Sequence, residues 1–86
     1  MEDIATWRKR IDEIDENLVA LLNERAVCAM EIGNIKNKHG IEIFNPERER
    51  FILDHIRSLN SGPLCVDAMQ RIFQVIIEEC RKSEEC

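Results

Sequence analysis

Apolar residues recur every seven positions along the first third of the chain, a spacing typical of a helix that packs lengthwise against other helices. Two interleaved series form this seam: Ile4, Ile11, Leu18, Arg25, Ile32 and Trp7, Ile14, Leu21, Cys28, Ile35. One seam position therefore holds a cation, Arg25. A guanidinium cannot lose its proton, and burying it unpaired costs on the order of several kcal/mol. The pattern predicts a long helix from about Asp3 to Lys38, with Arg25 bound to an acidic side chain or to an anionic ligand.

Two shorter helices are predicted after the long one. Glycine is a common C-terminal terminator, so the segment Lys38-His39-Gly40 ends the first helix. Asn45 and Pro46 suit the cap and the first position of a second helix, which ends before the break at residues 60–63. A third helix begins near Leu64 and continues to the end of the chain. We therefore predict an all-α fold with one long and two shorter helices.

The first helix is too long for one small compact domain. From Asp3 to Lys38 it would measure about 54 Å at 1.5 Å per residue, whereas a compact chain of 86 residues has a radius of gyration of about 12 Å. Part of this helix must protrude and bury its seam on another molecule. We predict a single domain over residues 1–86 and an intertwined helical homodimer, most simply with C2 symmetry.

Composition narrows the classes of function. The net charge of −5 argues against nucleic-acid binding by bulk charge. The N-terminus lacks the apolar stretch of a signal peptide, and no segment approaches the roughly 20 apolar residues of a membrane span, so we expect a cytoplasmic protein. The four cysteines show no CxxC motif or zinc-ligand spacing, which favours free thiols and no metal. They are Cys28, Cys65, Cys80 and Cys86.

Five charged residues are candidates for binding a small anion. Arg8, Arg25 and Lys36 lie on or beside the seam of the first helix. Arg8 and Arg25 are about 25 Å apart along the helix axis, so both reach one ligand only if Arg8 comes from the other subunit. Arg48 and Glu49 lie in the first turn of the second helix, where backbone N–H groups and the helix dipole favour an anion. Cations on an inward face of an acidic protein suit a small dianion.

On the third helix, Glu84 lies in phase with Phe73 and Ile77, which predicts that it points toward the core. Each candidate residue also has a simpler structural explanation. The simpler explanations are a register device paired with glutamate for Arg25, solvated surface charges for Arg8, Lys36, Arg48 and Glu49, a small core residue for Cys80, and a frayed terminal charge for Glu84.

Four segments carry motifs at a specific spacing. They are Trp7-Arg8-Lys9-Arg10-Ile11-Asp12-Glu13-Ile14-Asp15, Leu21-Leu22-Asn23-Glu24-Arg25, Ile32-Gly33-Asn34-Ile35-Lys36 and Asn45-Pro46-Glu47-Arg48-Glu49. Together they resemble the successive motifs of the all-helical chorismate mutases, over nearly the whole chain. The resemblance implies an intertwined homodimer with two equivalent sites. It also implies an isomerase that rearranges chorismate to prephenate, on the shikimate route to phenylalanine and tyrosine, with no cofactor or metal.

The resemblance further implies a role for each site residue. Arg8 of one subunit and Arg25 of the other would bind the two carboxylates of chorismate. Lys36 would reach a carboxylate and the ether oxygen. Glu49 would accept a hydrogen bond from the ring hydroxyl, and Arg48 would orient neighbouring groups.

Three positions depart from the pattern common in that family. Asn45 stands where many members have Asp, and it can still cap the helix and offer backbone groups to the hydroxyl. Cys80 stands where a carboxylate-binding Ser is frequent, and a thiol is a weaker donor. Glu84 stands where Gln is frequent, and it can donate to the ether oxygen only when protonated. We expect activity to fall as the pH rises and Glu84 ionises.

Three other functions remain open on these residues. An isochorismate pyruvate-lyase has a similar fold and a similar dicarboxylate substrate, and it would release pyruvate. A non-catalytic helical dimerisation module would need Arg25 for assembly instead of turnover. A chorismate-binding regulatory domain would bind the ligand without converting it.

Overall fold

Three α-helices make up the fold in the computed structural model, which describes residues 3–84. Helix α1 spans Ile4–Lys38, α2 spans Pro46–Leu59 and α3 spans Val66–Glu84. Within residues 3–84 there is no β-strand. The predicted all-α fold, with one long helix followed by two shorter ones, is confirmed. The predicted continuation of α3 to the last residue lies outside the described residues, as does Cys86.

Local signals in the sequence set the helix ends between α1 and α2. Gly40 follows α1 with a φ of +67°, a left-handed conformation that glycine adopts without steric cost. The Oδ1 atom of Asn45 accepts a hydrogen bond of 3.1 Å from the backbone N–H of Arg48, and Pro46 occupies the first turn of α2. These are the cap and the helix start that the sequence predicts.

Helix α3 packs against both other helices, whereas α1 and α2 do not pack directly on each other within the described chain. The small buried core lies along α3 and contains Ala29, Ile77 and Cys80. At the crossing of α1 and α3, a Cβ atom added to Gly33 would lie 2.9 Å from the Cβ atom of Glu84. The relative placement of α1 and α2 therefore depends on α3 and on the connection between them, residues 39–45.

The face of α1 that is buried within the chain overlaps only partly with the face that the heptad repeat marks, since Arg25 belongs to both. Ile32 and Ile35 of the predicted seam stay 48% and 57% exposed. The buried and half-buried residues of α1 are instead small or cationic, and they are Arg25, Ala26, Ala29, Gly33 and Lys36. Small residues allow α3 to approach closely, whereas the large side chains of the seam stay mainly exposed.

The molecule is elongated, with a Cα radius of gyration of 16.2 Å and dimensions of 60 × 23 × 15 Å. A compact chain of this length would have a radius of gyration of about 12 Å. Every residue of α1 up to residue 24 is exposed, including Trp7, which is 68% exposed. The first half of α1 thus protrudes, as its length predicts. No helix within residues 3–84 is long and apolar enough to cross a membrane.

Candidate active site

A pocket of about 230 Å³ lies where the second half of α1, the first turn of α2 and the last turns of α3 meet. This volume suits a small metabolite, since sites for drug-sized ligands are typically larger. Its walls are partly apolar, formed by Ala29, Ile32, Ile43, Ile52 and Ile77. Seven of the eight predicted site residues line it: Arg25, Lys36, Asn45, Arg48, Glu49, Cys80 and Glu84.

The eighth predicted residue, Arg8, does not line this pocket. It lies on the exposed first half of α1. At 1.5 Å per residue, Arg8 is about 25 Å from Arg25 along the helix axis. The arginine at position 8 therefore cannot reach the pocket of its own chain.

Helix α1 supplies two half-buried cations, Arg25 and Lys36, which are three turns apart and so lie on one face. The Nζ atom of Lys36 donates a hydrogen bond of 2.9 Å to the backbone carbonyl of Ile43. An ammonium group has three donors. The Ile43 carbonyl thus fixes the direction of Lys36 and leaves two N–H groups for a ligand.

The first turn of α2 supplies three polar groups to the pocket, from Asn45, Arg48 and Glu49. The Oδ1 atom of Asn45 is engaged in the helix cap. The guanidinium of Arg48 lies over the ring of Phe51, 5.1 Å from its centroid. The Glu49 side chain is only 17% exposed. Because backbone N–H groups at a helix start attract anions, this turn adds to the positive potential of the pocket.

The inward face of α3 completes the pocket with Ile77, Cys80, Arg81 and Glu84. Their spacing of three and four residues places them on one side of the helix. Cys80 is buried, and the Oε2 atom of Glu84 is buried as well. Glu84 therefore points inward, in the direction that its helical phase predicts.

Arg81 is a site residue that the sequence analysis missed. Its Nη1 atom donates a hydrogen bond of 2.6 Å to Oε2 of Glu49. Its guanidinium also lies over the ring of Phe44, 4.6 Å from the centroid. The helical spacing could have identified Arg81, because it shares the face of Ile77 and Glu84.

The charge of the pocket is opposite in sign to that of the chain. Four cationic and two acidic side chains line the pocket, which gives it a formal charge of +2 when both acids are ionised, while the whole chain carries −5. The chemistry of such a pocket suits a small dianion. Within residues 3–84, no group of His, Cys, Asp and Glu side chains is arranged to hold a metal ion.

Comparison with protein families gives a match over nearly the whole chain. The family described as chorismate mutase type II matches residues 7–85. The chorismate mutase of Methanocaldococcus jannaschii is 42% identical over 79 residues, which cover 91% of this chain and 80% of the relative. The bifunctional chorismate mutase/prephenate dehydratase of Aquifex aeolicus is 43% identical over 89 residues, covering 99% of this chain. This chain spans about a quarter of the length of that bifunctional relative.

Two solved structures with the same fold are both structures of a chorismate mutase. Form II of the Thermus thermophilus chorismate mutase superposes with a TM-score of 0.95 at 28% identity, covering 98% of this chain and 96% of that one. Form I superposes with a TM-score of 0.89 at 28% identity, covering 92% and 99%. The similarity therefore extends over the whole fold.

Proposed function

We propose that this chain, which belongs to the chorismate mutase type II family, rearranges chorismate to prephenate. The observation that carries this proposal is the meeting of Arg25, Lys36, Arg48, Glu49 and Glu84, from three different helices, in one small pocket. Chorismate is a dicarboxylate with a ring hydroxyl and an ether oxygen. The pocket is positive, with a formal charge of +2 when both acids are ionised and +3 when Glu84 is protonated, which is opposite in sign to the charge of the dianion.

The reaction is a concerted [3,3] shift, in which the ether C–O bond breaks while a new C–C bond forms. It needs no nucleophile, so the protein acts by holding the enolpyruvyl arm over the ring and by stabilising negative charge on the ether oxygen. Arg25 would pair with one carboxylate through two parallel N–H bonds. Lys36, directed by the Ile43 carbonyl, would donate one N–H to a carboxylate and one to the ether oxygen.

The remaining pocket residues would orient the ring and its substituents. Glu49 would accept a hydrogen bond from the ring hydroxyl, beside the backbone of Asn45. Arg48 would orient these groups from the same turn of α2. Cys80 would be a weak donor to a carboxylate, and a protonated Glu84 would donate to the ether oxygen.

We also propose that the protein is a homodimer in which Arg8 of the partner subunit completes each site. The exposed apolar stripe of α1 supports this, because large apolar side chains left in water favour association. The stripe consists of Ile4, Trp7, Ile11, Ile14, Leu18 and Leu21, which are 41–68% exposed. Arg8 lies beside this stripe, so burying the stripe on a second copy would bring Arg8 close to that copy.

Loss of chorismate absorbance in the ultraviolet tests the activity directly. Prephenate formation is expected, whereas pyruvate release would indicate the isochorismate pyruvate-lyase reaction instead.

Arg25→Ala is expected to lower kcat/KM by at least about 100-fold in a folded dimer, because it removes a fixed charge at the substrate. Arg57→Ala, on the exposed face of α2, is the control and should leave kcat/KM unchanged. An Arg25→Ala variant that turns over chorismate normally would overturn the assignment.

Mixing two inactive variants tests whether Arg8 acts across the interface. A heterodimer of an Arg8→Ala chain and an Arg25→Ala chain would contain one intact site, because the two losses fall in the other site. Random exchange should therefore restore about one quarter of the wild-type activity. If Arg8 acted within its own chain, both sites of the heterodimer would be damaged and no activity would return.

A further inference from the structure

The pair of Arg81 and Glu49 joins the last turn of α3 to the first turn of α2. Nη1 of Arg81 donates to Oε2 of Glu49 at 2.6 Å, and the two side chains are 26% and 17% exposed. By contrast, Lys82 and Glu79 pair at 3.1 Å within one helix turn, with both side chains more than 60% exposed. Exposed pairs of that kind contribute little, whereas a short, partly buried pair fixes geometry.

Phe44 holds Arg81 in place from a second direction. The guanidinium carbon lies 4.6 Å from the centroid of the Phe44 ring, within the range of a cation–π contact. Phe44 immediately precedes Asn45, the cap of α2. The protein itself therefore sets the orientation of Arg81 before any ligand is bound.

Glu49 requires such a restraint because of its other neighbours. The pocket also contains the cations of Arg25, Lys36 and Arg48. A flexible glutamate carboxylate among them would pair with a group that a dicarboxylate ligand needs. Arg81 occupies Oε2 of Glu49, which leaves Oε1 as the oxygen with full capacity to accept.

We propose that Arg81 is a positioning residue, which holds Oε2 of Glu49 so that Oε1 accepts a hydrogen bond from the hydroxyl group of the ligand. Arg81 acts through Glu49 and keeps that carboxylate away from the cations that bind the carboxylates of the ligand. The identification of this hydroxyl as that of the chorismate ring rests on the proposed function. The placement of Glu49 by Arg81 is independent of the proposed function.

A kinetic double-mutant cycle tests the coupling. Arg81→Gln is expected to lower kcat/KM for chorismate by about 10- to 100-fold, because the Glu49 carboxylate would no longer be positioned to contact the substrate. Arg81→Lys should recover part of this loss. In a Glu49→Gln background, Arg81→Gln should change kcat/KM by less than about 2-fold. Lys82→Gln, which removes the neighbouring cation, is the control and should match the wild type.

A chorismate analogue with hydrogen in place of the ring hydroxyl sharpens this test. With the analogue, Arg81→Gln should cost less than it does with chorismate, since no contact with a hydroxyl is lost and only the approach of Glu49 to the pocket cations lowers kcat/KM. A merely structural role of Arg81 would lower kcat/KM equally in both backgrounds and with both substrates, and that result would overturn the proposal.

Crystal structures of the wild-type and Arg81→Gln proteins, both without ligand, test the placement itself. The Glu49 carboxylate is expected to leave its wild-type position and turn toward Arg25, Lys36 or Arg48. If it keeps that position, Arg81 does not hold it and the proposal fails. Should the wild-type protein leave chorismate unchanged, the proposed function fails, and the same pair of structures still decides the role of Arg81.

Discussion

At Gly33 the absence of a side chain determines how closely α1 and α3 approach. A Cβ atom there would lie 2.9 Å from Cβ and 3.0 Å from Cα of Glu84. The backbone of Glu84 cannot swing away as a side chain could, so any residue larger than glycine moves the end of α3. Because Glu84 and Arg81 belong to that segment of α3, Gly33 also sets the shape of the pocket.

Gly33→Ala is therefore expected to destabilise the protein. In an exposed helix the same change is stabilising by about 1 kcal/mol, whereas overpacking at a helix crossing costs about 1–3 kcal/mol. We expect a lower Tm and a fall in kcat, measured by circular dichroism and the chorismate assay. Asn37→Ala, on the exposed face of α1, is the control and should keep both. A Gly33→Ala protein with a raised Tm and full activity would contradict this account of the crossing.

The acid at position 84 predicts a pH dependence. In the proposed mechanism, Glu84 would donate to the ether oxygen only while it carries its proton, because a carboxylate would repel negative charge on that oxygen. Activity should fall as the pH rises and Glu84 ionises, and Glu84→Gln should flatten that fall, because an amide donates at every pH. The measurement is kcat/KM from about pH 5 to 9. Glu79→Gln, an exposed acid on the same helix, serves as the control, and identical profiles for Glu84→Gln and the wild type would exclude this role.

Among the elements, α3 is the one that holds the other two in place. Ile77 is 4% exposed, in the small core that α3 forms with α1, and it also lines the pocket. Ile77→Ala should lower the free energy of unfolding by about 2–4 kcal/mol, because it removes buried methyl groups and leaves a cavity. Urea unfolding at a fixed chain concentration measures this. Leu59→Ala, where the side chain is 63% exposed, should change stability by less than about 0.5 kcal/mol. Equal losses in both variants would mean that α3 does not have this central role.

The helix ends were predictable from the sequence because their causes are local. Gly40 permits a left-handed turn after α1, and Asn45 with Pro46 starts α2. The contact face of α1 was not predictable in the same way. Heptad spacing identifies large apolar side chains, whereas α3 lies against Ala29 and Gly33, whose small size matters only once a neighbour is present.

The candidate site was predictable only in part for a related reason. Arg25 and Lys36 are separated by three helical turns, so the sequence alone places them on one side of α1. Their roles came from the family resemblance. Helical spacing alone places Arg81 on the face of Ile77 and Glu84. Its pairing with Glu49, 32 positions away in the chain, was not predictable, because it depends on how α2 approaches α3.

At the scale of the whole molecule, the exposed stripe on α1 predicts association. Leu18 is 48% exposed within one chain and belongs to the stripe. Leu18→Glu should weaken dimerisation by at least about 100-fold, because it places a charge in an apolar interface. Sedimentation velocity over a dilution series measures this, together with activity per chain. Asn23→Glu, which lies about 140° from Leu18 around the helix axis, is the control. A Leu18→Glu protein that assembles normally would mean that the interface lies elsewhere.

In the proposed homodimer, the distance between Arg8 and the pocket of its own chain would affect the behaviour of the protein at low concentration. A metabolite that is bound by side chains of two subunits has a higher affinity for the dimer than for the monomer. By mass action, saturating substrate would then oppose dissociation, and the midpoint of a dilution curve would shift to lower protein concentration as substrate is added. The enzyme would thus be protected from dilution by the compound that it consumes.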